Sequence, residues 1–257
     1  MPIYFKTQGK GLDIVLLHGW GFNSDIWQPI TKELIKKYRV TVMDFPGYGR
    51  SQCENDKEYN LNYVVENVLH VVPKDPAVFV GWSLGGLVAT QIGLLHPEHV
   101  IGIVNVASSP KFIATENWPG MTLDAVEKFA EELQADYHAL LQRFLALQGL
   151  HQDEIESIKK VLLRFGNPDQ NALLAGLEIL KYSDFRSCLK QMDESWCYIL
   201  CRLDRIVPFA VKEKILELNQ QINVRVINGG HAFFLSKHKE FINHLNEFVT
   251  CLSLKNN

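Results

Sequence analysis

The chain has 257 residues, enough for one large domain or two small ones, and with 47% hydrophobic and 21% charged residues it can bury a sizeable core. That balance excludes a disordered or fibrous protein. A net charge of -3 gives no general reason to expect nucleic acid or an anionic membrane as partner, so any basic patch must be local.

Met1-Pro2-Ile3-Tyr4-Phe5-Lys6 lacks the basic and apolar regions of a secretion signal, and no later stretch is apolar for long enough to span a bilayer. A cytoplasmic protein is expected. The first apolar run, 14–17, reads as a buried strand and leads into His18-Gly19-Trp20-Gly21. Helical periodicity over 26–36 is followed by a strand over 40–43, and the tight loop from Asp44 to Ser51 reads as a structural brace. A helix over 61–69 precedes the strand 77–80, the segment Gly81-Trp82-Ser83-Leu84-Gly85 and a helix over 86–95. After the strand 101–104 the alternation stops. From Pro110 to Arg186 helical patterns cover 122–134, 137–147, 153–165 and 170–182, punctuated at Pro119-Gly120, Gly149 and Gly166-Asn167-Pro168. Alternation then resumes with 198–200, 211–218, 224–227 and 240–252. Runs apolar on both faces fit a mostly parallel sheet. Their alternation with helices predicts a doubly wound α/β core at 1–109 and 187–257, with a helical cap inserted at 110–186. The polar tail Lys255-Asn256-Asn257 is expected to fray.

The cysteines, Cys53, Cys188, Cys197, Cys201 and Cys251, are scattered and form no Cys-x-x-Cys pair; they read as buried apolar thiols in a reducing compartment. No His, Cys, Asp or Glu cluster has metal-ligand spacing and no glycine-rich phosphate cradle is present, so no metal and no cofactor are expected. A monomer is the expected state.

Gly81-Trp82-Ser83-Leu84-Gly85 stands between a predicted strand and a predicted helix, which is the context of a nucleophile elbow. Such a turn strains the backbone of its serine, so small residues are needed two positions before and after it. The following helix aims N–H groups at the place where negative charge develops. A glycine-rich turn packed for steric reasons is the plainer alternative, but it leaves the partners unexplained. A serine hydroxyl needs a base; among nine histidines, His231 follows Gly229-Gly230 directly after the last strand, at the carboxyl edge of the sheet. The orienting acid should lie between serine and histidine in chain order. Asp204, just past the strand near 198–201, fits that place, with Asp184 and Asp193 as rivals and a turn-forming or surface aspartate as the bland reading. Backbone N–H groups of Trp20 and Leu84 are the candidates for an oxyanion hole, and His18 reads as an orienting residue of the Trp20 loop.

With these residues in place, the chain resembles the pimeloyl-[acyl-carrier protein] methyl ester esterases of the biotin pathway, within the α/β-hydrolases, over essentially its whole length. The resemblance is carried by His18-Gly19-Trp20-Gly21, Gly81-Trp82-Ser83-Leu84-Gly85-Gly86 and Val106-Ala107-Ser108-Ser109-Pro110. More specific are Trp118-Pro119-Gly120, Arg143-Phe144-Leu145-Ala146-Leu147-Gln148 and Gly176-Leu177-Glu178-Ile179-Leu180. It implies an α/β-hydrolase fold and hydrolysis of the methyl ester of a pimeloyl chain on acyl carrier protein, releasing methanol through a Ser-His-Asp acyl-enzyme route. Implied substrate contacts are Trp20, Ser83, Leu84, Phe144, Leu145, Ala146, Leu147, Gln148 and His231. Helical spacing puts Phe144, Leu147 and Gln148 on one face, while Leu145 and Ala146 fit the cap core equally well.

The resemblance also implies docking of the acidic carrier protein on cap arginines. Here Arg143 persists, and Lys159, Lys160 and Arg164 are the substitutes. His151-Gln152-Asp153-Glu154-Ile155-Glu156 is acidic where the family tends to be basic. Three other readings stay open: a broad-specificity short-chain carboxylesterase, a carbon–carbon bond hydrolase using the same triad, and a binding or signalling protein on a hydrolase scaffold.

Overall fold

Strands form where the apolar runs predict them: β2 (Asp13–Leu17), β3 (Arg39–Met43), β4 (Ala77–Trp82), β5 (Val100–Val106), β6 (Trp196–Cys201) and β7 (Asn223–Ile227). The structure is a computed structural model that describes residues 2–54, 58–149 and 152–255. β2 and β4 are buried along their whole length, as strands apolar on both faces must be. An additional strand, β1 (Phe5–Gln8), pairs antiparallel with β3 and completes a sheet of order β1-β3-β2-β4-β5-β6-β7 whose other pairings are all parallel. β1 is mostly exposed and carries no apolar run, so its strand character comes from its pairing with β3, including a 2.8 Å hydroxyl contact between Thr7 and Thr41.

From β2 the chain steps to β3 on one side, then returns past β2 to β4 and continues outward on the other side. The strand order therefore reverses between β2 and β4. Ligand crevices of open α/β sheets lie at the carboxyl ends of such a pair. Those ends carry His18-Gly19-Trp20 and Ser83.

The core helices are α1 (Gln28–Leu34), α2 (Leu61–Val71), α3 (Leu84–Leu95), α8 (Val211–Leu218), the short α9 (Phe233–Ser236) and α10 (His238–Lys255). Trp27 stacks on Phe234 at 4.5 Å, fastening the first helical segment to α9. Burying a side chain of this size contributes about 1.5–3 kcal/mol. The cysteine expectation needs correction: Cys197 and Cys201 are buried, Cys53 and Cys188 half-buried, and Cys251 exposed. On α10 the buried stripe runs through Phe241, Leu245, Phe248, Val249 and Leu252, and Cys251 falls off it.

Between β5 and β6 the chain leaves the sheet for α4 (Leu123–Ala135), α5 (Tyr137–Leu147), α6 (Gln152–Leu162) and α7 (Gln170–Tyr182). Side chains of Thr122, Asp136 and Asp169 cap α4, α5 and α7 by accepting from first-turn N–H groups. The two ends of this excursion meet: Phe185 N donates to Pro110 O at 2.8 Å, and Lys111 Nζ lies 3.2 Å from the Asp184 carboxylate. Of the acidic stretch at 151–156, His151 lies outside the described residues, as do the side chains of Gln152, Asp153 and Glu154. Asn256 and Asn257 of the tail, and the side chain of Lys255, lie outside them too. Among the described residues no helix is long and apolar enough to cross a membrane.

Candidate active site

Ser83 sits at the β4–α3 junction with φ 54° and ψ −116°, a conformation that costs a residue with a side chain on the order of 1–3 kcal/mol. Neighbouring bonds hold it there. Ser83 N donates to Val106 O, Gly86 N to Ser83 O, and Ser108 Oγ to Ser83 O, each at 2.9 Å. The flanking glycines are sterically obligatory: a Cβ on Gly81 would lie 2.1 Å from Gly85 O, and one on Gly85 would lie 2.5 Å from Leu17 O. Ser83 is the N-cap residue of α3, yet its side chain makes no capping bond. Its hydroxyl is thus not spent on the helix.

Asp204 follows β6, and its carboxylate is held by four donors. Oδ1 accepts from Ile206 N at 2.8 Å and Val207 N at 2.9 Å. Oδ2 accepts from His231 Nδ1 at 2.8 Å and from Cys201 Sγ at 3.3 Å. Both the Asp204 and the His231 side chains are 1% exposed. Because the carboxylate can only accept, Nδ1 carries the proton and Nε2 presents its lone pair. That Nε2 is buried without a hydrogen-bond partner, a condition rare in a folded interior. His231 is fixed from behind, where its carbonyl accepts from Trp82 Nε1 at 3.0 Å.

Cys201 was not a candidate. Burial, followed by the charge of Asp204, pushes its thiol up, so it stays protonated and donates. Its place three residues before Asp204, at the strand end, is the signal that a cysteine count passes over. The rival aspartates are engaged elsewhere. Arg186 hydrogen-bonds Asp184 and holds its carboxyl down at about 2, and Asp193 accepts from Ser195 N at 2.8 Å.

His18 uses both ring nitrogens. Nδ1 donates to Gly19 O at 2.8 Å and Nε2 accepts from Phe45 N at 2.9 Å, while burial lowers the imidazole to about 4. It is a neutral strut with no nitrogen to spare as a base. The loop behind it is braced by Asp44, whose carboxylate accepts from Ser24 N and Arg50 Nε, each at 2.8 Å. Trp20 reaches the inserted helices: its indole Nε1 donates to Leu173 O in α7 at 2.8 Å, and its ring meets Phe144 edge-on at 5.0 Å. The N–H of Leu84 opens α3 and so has no acceptor within the helix.

A cavity of about 30 Å³ lies over Ser83, walled by Trp20, Met121, Val126, Phe129, Phe144, Leu177, Leu180 and Ile206. It holds only one or two waters. Within the 144–148 stretch, Phe144 faces this cavity, Leu145 is buried, Ala146 is exposed and Leu147 is half-buried. Gln148 is fully buried; its Nε2 donates to Phe144 O at 3.1 Å and its Oε1 has no partner. Arg143, on α5, is ion-paired with Glu132 and lies over the Phe129 ring. On the last turn of α6, Lys159 is half-buried and Lys160 exposed; Arg164 is exposed beside Phe165. Among the described residues, no group of three or more His, Cys, Asp or Glu side chains is placed to hold a metal ion.

Residues 14–244 match the model of the Alpha/beta hydrolase family. A pimeloyl-[acyl-carrier protein] methyl ester esterase of Aliivibrio fischeri is 37% identical over 254 residues, covering 96% of this chain and 97% of that protein. Its counterpart from Aeromonas hydrophila is 36% identical, with 97% and 100% covered. Among solved structures, an esterase from Exiguobacterium antarcticum superposes with a TM-score of 0.86 at 22% identity, over 96% of this chain and 95% of that one. The geometry at Ser83 thus sits in a chain that belongs to the alpha/beta hydrolase family and, within it, to the pimeloyl-[acyl-carrier protein] methyl ester esterases.

Proposed function

We propose that the protein hydrolyses the methyl ester of pimeloyl-[acyl-carrier protein], releasing methanol and leaving the free carboxylate on the carrier-bound chain. The observation that carries the mechanism is the Asp204–His231 bond with Nε2 of His231 buried and unpartnered beside the elbow. Ser83 Oγ attacks the ester carbonyl as His231 Nε2 takes its proton, and the protonated imidazole is stabilised by Asp204. Backbone N–H groups of Trp20 and Leu84 receive the oxyanion. Methanol leaves with the proton from His231; water, deprotonated by the same nitrogen, then attacks the acyl carbon, and His231 returns that proton to Ser83 Oγ as the acid leaves.

The substrate chain lies along Trp20, Ser83, Leu84, Phe144 to Gln148 and His231, beneath a cap formed by 110–186 on a core of 1–109 and 187–257. Lys159, Lys160 and Arg143, the last shared with Glu132, are the cap cations offered to the acidic carrier, and the enzyme works as a cytoplasmic monomer. What supports the substrate is the full-length similarity to proteins of that name.

Replacing Ser83 with Ala should abolish hydrolysis of both p-nitrophenyl acetate and the carrier-bound ester with the thermal midpoint unchanged; retained turnover removes the assignment. Growth of a biotin-requiring strain that lacks its methyl esterase, restored by this gene, tests the substrate. A second reading, a broad-specificity short-chain carboxylesterase, is favoured by the small cavity over Ser83. It predicts faster turnover of free acetyl esters than of the carrier-bound ester.

A further inference from the structure

Of the eight arginines, five are ion-paired and three, Arg164, Arg202 and Arg205, are in no ion pair among the described residues. Arg39, Arg50, Arg143, Arg186 and Arg225 are each ion-paired with a carboxylate. Arg202 and Arg205, on the loop after β6, are both exposed, and among the described residues neither is in an ion pair. Leu203 stands between them, 65% exposed. The Arg202 guanidinium lies 4.9 Å from the Phe209 ring centroid and Lys212 Nζ lies 5.9 Å from it, so one aromatic ring gathers a further cation into the patch. In a chain of net charge -3, this is a local basic surface centred on an exposed apolar side chain.

Its position gives it meaning. Arg202 N donates to Ile227 O at 3.2 Å and Leu203 N to Gly229 O at 3.0 Å, so the loop is tied to the segment that carries His231. The same loop supplies Asp204, and Ile206 forms part of the cavity wall over Ser83. A protein seated on Arg202, Leu203 and Arg205 would therefore lie beside the triad, with its cargo directed at the cavity.

We propose that the Arg202–Leu203–Arg205 surface, with Lys212, docks an acidic acyl-carrying protein; this rests on the carrier-bound ester proposed above as substrate. The cations steer and orient the acidic partner, and Leu203 supplies the buried apolar contact at the centre of the interface. Arg143 is already ion-paired with Glu132, so reversing its charge should cost carrier binding less than reversing Arg202 and Arg205.

The test is binding of holo-acyl carrier protein to the full chain, followed by fluorescence anisotropy at two salt concentrations. Wild type is compared with the Arg202→Glu/Arg205→Glu variant and with Arg143→Glu. p-Nitrophenyl acetate hydrolysis is measured on the same samples. The double variant should weaken carrier binding at least tenfold and flatten its salt dependence, keep acetate turnover within twofold, and exceed the loss from Arg143→Glu. Unchanged carrier binding, a larger loss from Arg143→Glu, no binding by wild type, or an equal loss on the small ester overturns the proposal. Binding without methanol release from the carrier-bound ester would leave this docking surface standing and remove the proposed substrate.

Discussion

Asp204→Asn isolates the role of one proton. The substitution keeps size and shape but exchanges one acceptor oxygen for an NH2 donor. If the amide nitrogen takes the Oδ1 place, it faces the N–H groups of Ile206 and Val207, leaving two buried donors without an acceptor at about 1–3 kcal/mol each. If it takes the Oδ2 place, it faces only the His231 nitrogen and the rotatable Cys201 thiol. The second orientation is less costly. It requires Nδ1 to accept, which moves the imidazole proton to Nε2 and leaves no base for Ser83. Loss of the correct tautomer in a triad of this kind lowers kcat by about 10⁴, equivalent to roughly 5.4 kcal/mol of barrier. Steady-state hydrolysis of p-nitrophenyl acetate reads the loss, and urea unfolding checks that the fold persists. A variant that kept a tenth of wild-type kcat would show that Asp204 does not set the state of His231.

Further outcomes follow from other contacts. Gly85→Ala should destabilise the protein by about 3 kcal/mol or more, since its Cβ would lie 2.5 Å from Leu17 O; an unchanged urea midpoint would remove the steric account of the elbow. His18, lowered by burial from 6.5 to about 4, binds its proton in the unfolded chain before the folded one. Stability should therefore fall as pH drops from 6.5 towards 4, by on the order of 3 kcal/mol in all. His18→Asn should flatten unfolding free energy against pH in that window, and an unchanged slope would contradict this. Cys201→Ala removes a weak donor to Asp204 Oδ2, so the acid limb of kcat/KM should move up by a few tenths of a pH unit, with Cys201→Ser restoring it. Identical limbs in all three proteins would make the thiol mere packing.

The fold was legible wherever a local pattern carried it. Apolar or β-branched runs marked β2 to β6, alternation marked the half-buried β7, and glycines marked the turn at Ser83, because burial and a forbidden Cβ each leave a trace in residue type. β1 left none: its four residues become a strand through hydrogen bonds to β3, more than thirty positions away. The same division holds at the site. Asp204 and His231 could be found because each closely follows a strand, but the donors to Asp204 Oδ1 are backbone groups and the fourth is a cysteine that composition assigned to packing. Least legible was the cavity, whose walls come from α4, α5, α7 and three loops, so its size depends on how distant side chains meet. The pairing of Arg143 with Glu132, eleven residues apart across two helices, was hidden for the same reason.

A volume near 30 Å³ over the serine is a tenth of what a small-molecule pocket usually offers. Room for a longer acyl chain would come from parting the aromatic contacts of Phe144 with Trp20 and Phe129. At about 0.5–1.5 kcal/mol for each contact, the accessible form is from roughly 15% of the population down to below 1%. Measured affinity is then intrinsic affinity scaled by that fraction. On that arithmetic a free ester at micromolar concentration meets the open form only in a minority of encounters. A tethered ester, held nearby at an effective concentration of about a millimolar, is present at each opening, so selectivity can arise from timing as much as from fit.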